Sequence, residues 1–133
     1  MRVVIDTNVY LSHFRFGGLP TRVCLFCLEE TDVYISDFII TEVERILINK
    51  FGLAAPYLEL VRQTFLESTE RVVPTTPLPE LCRDPDDNNI LQLVQFTMAD
   101  YLITGDKDLL ILKEFENCQI VTPKTFAESV GIV

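Results

Sequence analysis

Short apolar runs alternate with longer stretches of helical spacing along this chain. Val3-Val4-Ile5 is a continuous apolar run and predicts a buried strand over 2–6. Gly17-Gly18 and Pro20 break the chain, and Thr21 predicts the cap of a helix that ends at Glu30. Val33-Tyr34-Ile35 reads as a second strand, after which Ser36 and Asp37 offer an N-cap. Ile39, Val43, Ile46 and Leu47 then recur at helical spacing, with Phe51 one turn on and Gly52 as the stop. Pro56 opens a further helix, expected to end near Thr69 with Leu60, Val61 and Phe65 on its inner face. Val72-Val73 predicts a brief third strand. Four prolines mark 74–86 as a loop. A helix with Ile90, Leu91 and Val94 inside follows. Tyr101 to Thr104 is the fourth strand and Asp106 to about Leu112 a short helix. Gln119-Ile120-Val121 is the fifth strand, and Pro123 starts a terminal helix.

Strands that alternate with helices imply a parallel sheet covered on both faces. The expected fold is therefore an α/β, three-layer α/β/α sandwich around a central parallel sheet of about five strands. In such sheets ligands sit beyond the carboxyl ends of the strands. Asp6 and Asp106 fall at those ends. With 133 residues, the expected organisation is a single domain, 1–133.

The acids change the picture most. Asp6-Thr7-Asn8 closes the first strand, and taken alone it reads as a turn. Arg83-Asp84-Pro85-Asp86-Asp87-Asn88 places three acids in four positions before a helix, where one is enough for a cap. Thr104-Gly105-Asp106-Lys107-Asp108 likewise holds one aspartate more than a cap needs. Glu42 and Glu44 both flank an apolar stripe, and helical geometry does not choose between them. Several carboxylates gathered at one sheet edge repel each other and hold a hard divalent cation.

Lys and Arg total 11 against 20 Asp and Glu, a formal charge of −9, which disfavours a nonspecific nucleic-acid coat. Contact with a polyanion then needs a cation, a local Arg/Lys patch or a partner. A lone histidine, His13, in a region that reads as loop, leaves no acid–base pair for histidine-based RNA cleavage. No stretch is long and apolar enough to span a membrane and no signal peptide is apparent, so a cytoplasmic location is expected. Cys24, Cys27, Cys82 and Cys118 are expected as core thiols rather than as a zinc or redox site, because no second close pair accompanies the C-x-x-C.

Taken together these motifs resemble the PIN-domain family of metal-dependent ribonucleases. The matching segments are Val4-Ile5-Asp6-Thr7-Asn8, Ser36 through Thr41-Glu42, Asp84-Pro85-Asp86-Asp87-Asn88-Asn89-Ile90, Ile103-Thr104-Gly105-Asp106-Lys107-Asp108, and Val121-Thr122-Pro123 with Phe126. The order and spacing of these segments carry the likeness, which looks closest to the branch of VapC-like toxins of toxin–antitoxin pairs. The resemblance implies Asp6, Glu42, Asp87 and Asp106 as catalytic acids and metal ligands, so that it selects Glu42 over Glu44. It implies Asp108 as an auxiliary metal ligand. Thr7, Asn8, Thr104 and Asp84 are implied as supporting residues. The implied cofactor is one or two Mg²⁺ or Mn²⁺ ions. The implied reaction is hydrolysis of RNA phosphodiester bonds by a metal-activated water, leaving 5′-phosphate and 3′-hydroxyl ends. Implied partners are an RNA substrate, an antitoxin protein and a second copy in a homodimer.

Other readings predict different residues. A Mg²⁺-binding receiver-type signalling domain needs paired acids after the first strand, where this chain has one. A phosphatase of the haloacid dehalogenase type needs a second aspartate two positions on, where this chain has Asn8. A non-catalytic PIN-like module that only binds RNA or protein keeps the fold, and the intact acid set argues against it.

Overall fold

The computed structural model describes residues 1–133. Its strands are β1 (Arg2–Ile5), β2 (Asp32–Ile35), β3 (Glu70–Arg71), β4 (Tyr101–Ile103), β5 (Glu114–Phe115) and β6 (Cys118–Val121). Its helices are α1 (Thr7–Arg15), α2 (Leu19–Glu30), α3 (Asp37–Asn49), α4 (Ala55–Ser68), α5 (Pro85–Thr97), α6 (Lys107–Leu110) and α7 (Pro123–Val130). The six strands form one sheet in the order β3-β2-β1-β4-β6-β5. Every pairing is parallel except β5 with β6. The expected α/β sandwich is present, with six strands rather than five.

That strand order fixes where a ligand can sit. The chain winds outward from β1 to β2 and β3, then returns to lay β4 on the other side of β1. Right-handed crossovers place the helices of the first excursion on one face and α5 on the other. The direction of winding reverses between β1 and β4, and in sheets of this kind the ligand crevice lies beyond the carboxyl ends at that reversal. Val3, Val4, Ile5, Leu102 and Ile103 are fully buried, as strands covered on both faces require. β1 and β4 run in register, Ile5 beside Ile103, so the residues that follow them leave the sheet side by side.

The differences from the sequence reading have local causes. Asp6-Thr7-Asn8 is not a free turn: Asp6 is the N-cap of α1, accepting from the Thr7 N–H, and the helix runs on to Arg15. His13 is thus helical, half-buried, with its Nδ1 3.1 Å from the Thr21 Oγ1. Thr21 serves that contact, and α2 begins earlier, at Gly18 as N-cap with Pro20 in the first turn. The third strand is Glu70–Arg71, ahead of Val72-Val73; Val72 still donates to the Ile35 carbonyl, and Val73 is exposed. On α4, Val61 and Phe65 face inward as expected, but Leu58 takes the place given to Leu60, which is exposed. α6 stops at Leu110. The extra strand β5 returns on β6 through Glu116 and Asn117, both at positive φ. A two-residue turn of this kind normally advertises itself by Asn-Gly or Asp-Gly, and here that signal is missing.

No helix is long and apolar enough to cross a membrane. Cys24, Cys27 and Cys118 are buried free thiols, and burial pushes each up to about 12. They are core residues, unreactive in this protonated form.

The packing yields a paired test. Leu93→Ala empties a fully buried site and is expected to cost about 2–5 kcal/mol in denaturant unfolding. Leu60→Ala is expected to stay within about 0.5 kcal/mol, because Leu60 lies on the solvent side of α4. A loss at Leu60 as large as that at Leu93 would contradict the orientation of α4.

Candidate metal centre

Three helices begin at the crevice, and aspartates cap all three. Asp6 caps α1, Asp84 caps α5 through the Asp86 N–H, and Asp106 caps α6 through the Asp108 N–H. A helix N-terminus carries partial positive charge, so it stabilises carboxylates that would otherwise repel. Ser36 caps α3 at the end of β2.

Asp6 is the most constrained of these acids. Its Oδ1 accepts from the Thr7 N–H at 2.8 Å. Its Oδ2 accepts from the Thr104 Oγ1 at 2.7 Å and the Asn8 Nδ2 at 3.2 Å. A carboxylate offers about four lone pairs, so roughly one is left for an ion. Thr104 in turn accepts from the Asp106 N–H at 2.9 Å, and Asn8 accepts from the Gly105 N–H at 3.1 Å. Thr7, Asn8 and Thr104 therefore tie the turn after β1 to the turn after β4. Burial raises the Asp6 carboxyl to about 6; the hydrogen bonds from Thr104 and Thr7 oppose this, and the charges of Asp106 and Glu42 add to it.

Asp87 enters from the first turn of α5. It is 7% exposed, and its Oδ2 has no hydrogen-bond partner. Burial raises its proton affinity, and the neighbouring Asp106 carboxylate raises it further; the charges of Asp6 and Asp84 also contribute. Asp87, Asp106 and Asp108 each bring a carboxylate oxygen within 4.8 Å of the other two. Asp108 is held from outside by the Arg83 Nη2, at 3.2 and 3.0 Å from its two oxygens.

Asp6 and Glu42 stand outside that tight group; the charges of Asp106 and Glu42 both act on Asp6. Glu42 lies on α3 and lines a hollow of about 360 Å³ with Phe38, Thr41, Arg45 and Asp86. Glu44 points away from the crevice into an ion pair with Arg62. Asp84 is a cap and stands outside the group. Two contributors escaped the sequence reading. Arg83 pairs with an acid 25 positions away, which no spacing rule finds. Asn88 accepts from the Leu81 and Cys82 N–H groups at 3.1 and 3.0 Å, and so pins the loop that carries Arg83 and Asp84.

The donor set fits a hard divalent cation. It consists of oxygens alone, three of the carboxylates converge, and a buried Asp87 oxygen has nothing to bond. An unpaired buried carboxylate is otherwise costly, and a bound cation removes that cost.

A family model described as PIN domain matches residues 2–108. The chain belongs to the PIN-domain family. It is 31% identical to an uncharacterized protein of Methanocaldococcus jannaschii, an alignment covering 96% of this chain and 90% of that protein. In fold it is similar to VapBC2 from Rickettsia felis bound to a DNA fragment from their promoter. That match has a TM-score of 0.65 at 14% identity and covers 92% of this chain and 98% of the other. It is also similar to VapC20 of Mycobacterium tuberculosis, described as a sarcin–ricin loop cleaving toxin. There the TM-score is 0.58 at 14% identity, over 86% and 97% of the two chains. At 14% identity these two likenesses speak for the fold alone.

The raised Asp6 carboxyl predicts a stability cost with a definite pH window. In EDTA the folded protein keeps this proton up to about pH 6, whereas the unfolded chain loses it near 3.8. The folded state is thus favoured by protonation, and this contribution is lost as pH rises from about 4 through 6. Asp6→Asn mimics the neutral form. In EDTA at pH 7.5 it is expected to raise stability by roughly 2–3 kcal/mol, a gain that disappears by about pH 4. A variant less stable than wild type at both pH values would contradict the cause given for the shift.

Proposed function

We propose that this chain is a divalent-cation-dependent endoribonuclease and the toxin of a toxin–antitoxin pair. The observation that supports it most is the buried, unpartnered Asp87 oxygen within the group formed with Asp106 and Asp108, beside the hydrogen-bonded Asp6. That arrangement carries an energetic penalty without a cation and is a binding site with one. PIN domains are a nuclease family that uses divalent metals, which favours this reading over a scaffold of the same fold. The fold likeness to a toxin described as cleaving the sarcin–ricin loop agrees with an RNA substrate.

In this reading Asp6, Glu42, Asp87 and Asp106 hold the cation, directly or through water, with Asp108 auxiliary. When bound, a Mg²⁺ or Mn²⁺ ion supplies a water of lowered pKa and neutralises charge developing at phosphorus. Thr7, Asn8 and Thr104 fix the orientation of Asp6. Asp84 caps α5 and so sets the direction from which Asp87 enters. Without a cation, burial and the neighbouring Asp106 carboxylate leave Asp87 prone to hold a proton, which a bound cation would displace. Glu42, on α3, adds its charge to that of Asp6. Cleavage leaves a 5′-phosphate and a 3′-hydroxyl. The formal charge of −9 makes long-range steering of RNA poor, so capture depends on the cation and on basic side chains near the crevice such as Arg45 and Lys107. A protein antitoxin and self-association as a homodimer complete the assignment, with action in the cytoplasm.

Two measurements check this. Millimolar Mn²⁺ is expected to raise the melting temperature of the purified protein by several degrees, with reversal by EDTA. Asp6→Asn and Asp87→Asn are each expected to lose that rise and to reduce cleavage of a structured RNA to background, with unchanged circular dichroism. Wild-type protein that neither responds to Mn²⁺ nor cuts RNA in its presence would contradict the proposal. Products carrying a 2′,3′-cyclic phosphate would contradict the metal-dependent route.

A further inference from the structure

The acids at the crevice divide into two lobes. In the inner lobe, buried Asp6 is tied to the Asp106 N–H through the Thr104 hydroxyl, at 2.7 and 2.9 Å. In the outer lobe, Asp87, Asp106 and Asp108 bring oxygens within 4.8 Å of one another. Asp106 belongs to both, and Asp87 carries the buried, unpartnered Oδ2 that points to a ligand. The outer lobe differs in one respect: a cation of the chain itself is already there. The Arg83 Nη2 donates to both oxygens of Asp108, at 3.2 and 3.0 Å. The Asp108 N–H is fixed to the Asp106 Oδ1 at 2.9 Å, so the residue that Arg83 holds is itself held in place.

We propose that the Arg83 guanidinium is the resident counter-cation of the outer lobe, withholding Asp108 from a second divalent ion. The site then works with one ion, held by Asp6, Glu42, Asp87 and Asp106, directly or through water. This inference rests on the metal-centre reading given above and extends it to the number of ions. A second divalent ion bound through Asp108 must either dislodge the guanidinium or sit within a few ångströms of it. A +2 and a +1 charge about 5 Å apart repel enough to weaken binding by about tenfold even at the dielectric of water. The Arg83 side chain is 86% exposed, and exposed ion pairs are weak. Arg83 is therefore displaceable at high ion concentration, and its effect is a lowered affinity for the second ion rather than a block. Arg83 is a positioning residue here: it acts on the ion through Asp108.

The test is Mn²⁺ binding, followed by the electron paramagnetic resonance of free Mn²⁺ and by calorimetry, on wild type, Arg83→Met and Arg83→Met/Asp108→Asn. Melting in EDTA establishes that each is folded, and Arg83→Gln repeats the loss of charge on a polar side chain. Wild type is expected to bind one ion, with a second much weaker. Arg83→Met is expected to tighten the second ion by about tenfold, and the double variant to lose that gain. Arg83→Lys, which keeps the charge, is expected to keep the second ion weak. A second-ion affinity within about twofold of wild type in Arg83→Met, with the first ion still bound, overturns the inference and leaves the metal centre standing. Wild type that binds no Mn²⁺ overturns both.

Discussion

Like charges gathered at one edge of a sheet are what this structure has to offset. At an effective dielectric of 20, two carboxylates 4 Å apart cost about 4 kcal/mol, and a domain of this size has roughly 5–15 kcal/mol of stability in all. The fold meets that cost at several points. Helix N-termini face Asp6, Asp84 and Asp106. Thr104, Asn8 and the Thr7 N–H donate to Asp6, and Arg83 neutralises Asp108. Asp87 is left over, buried with a free oxygen and a raised proton affinity. In the function proposed above, the remaining strain is what a divalent cation would relieve, so that affinity for the ion and instability without it would have the same origin.

The sheet topology explains why these acids meet although they lie far apart along the chain. Winding reverses between β1 and β4, and the parallel register puts Ile5 beside Ile103. The next residues out, Asp6 and Thr104, are hydrogen-bonded to each other. Asp6 and Asp106 serve twice, as helix caps and as members of the crevice. Asp6→Asn thus tests chemistry with less disturbance of the fold than a core substitution, because an amide oxygen still accepts from the Thr7 N–H.

Much of this was legible in the sequence because it depends on short-range pattern. Val3-Val4-Ile5 reads as a strand buried on both faces, and it is one. Asp6 and Asp106 at strand ends follow from the same pattern. The parallel α/β class follows from alternation. What escaped depends on contacts that pattern does not encode. α1 was hidden because Asp6-Thr7-Asn8 has turn chemistry, and a helix cap and a turn use the same residues. The β5–β6 hairpin was hidden because Glu116 occupies a positive-φ position usually marked by glycine or asparagine. Leu60 and Leu58 differ by half a turn, and only packing on the core decides which is inside. For the site, helical geometry left Glu42 and Glu44 equivalent, and the family resemblance separated them. Arg83 was visible as a charge beside three acids, yet its partner Asp108 is fixed by tertiary structure alone.

The central claim is that residues distant in sequence form one oxygen-lined cation site at the switch between β1 and β4. Anomalous diffraction from crystals grown with Mn²⁺ tests it most directly. The account predicts a manganese peak within bonding distance of oxygens from Asp6, Asp87 and Asp106. Ordered manganese found only elsewhere, with these three carboxylates free of it at millimolar concentration, would contradict it.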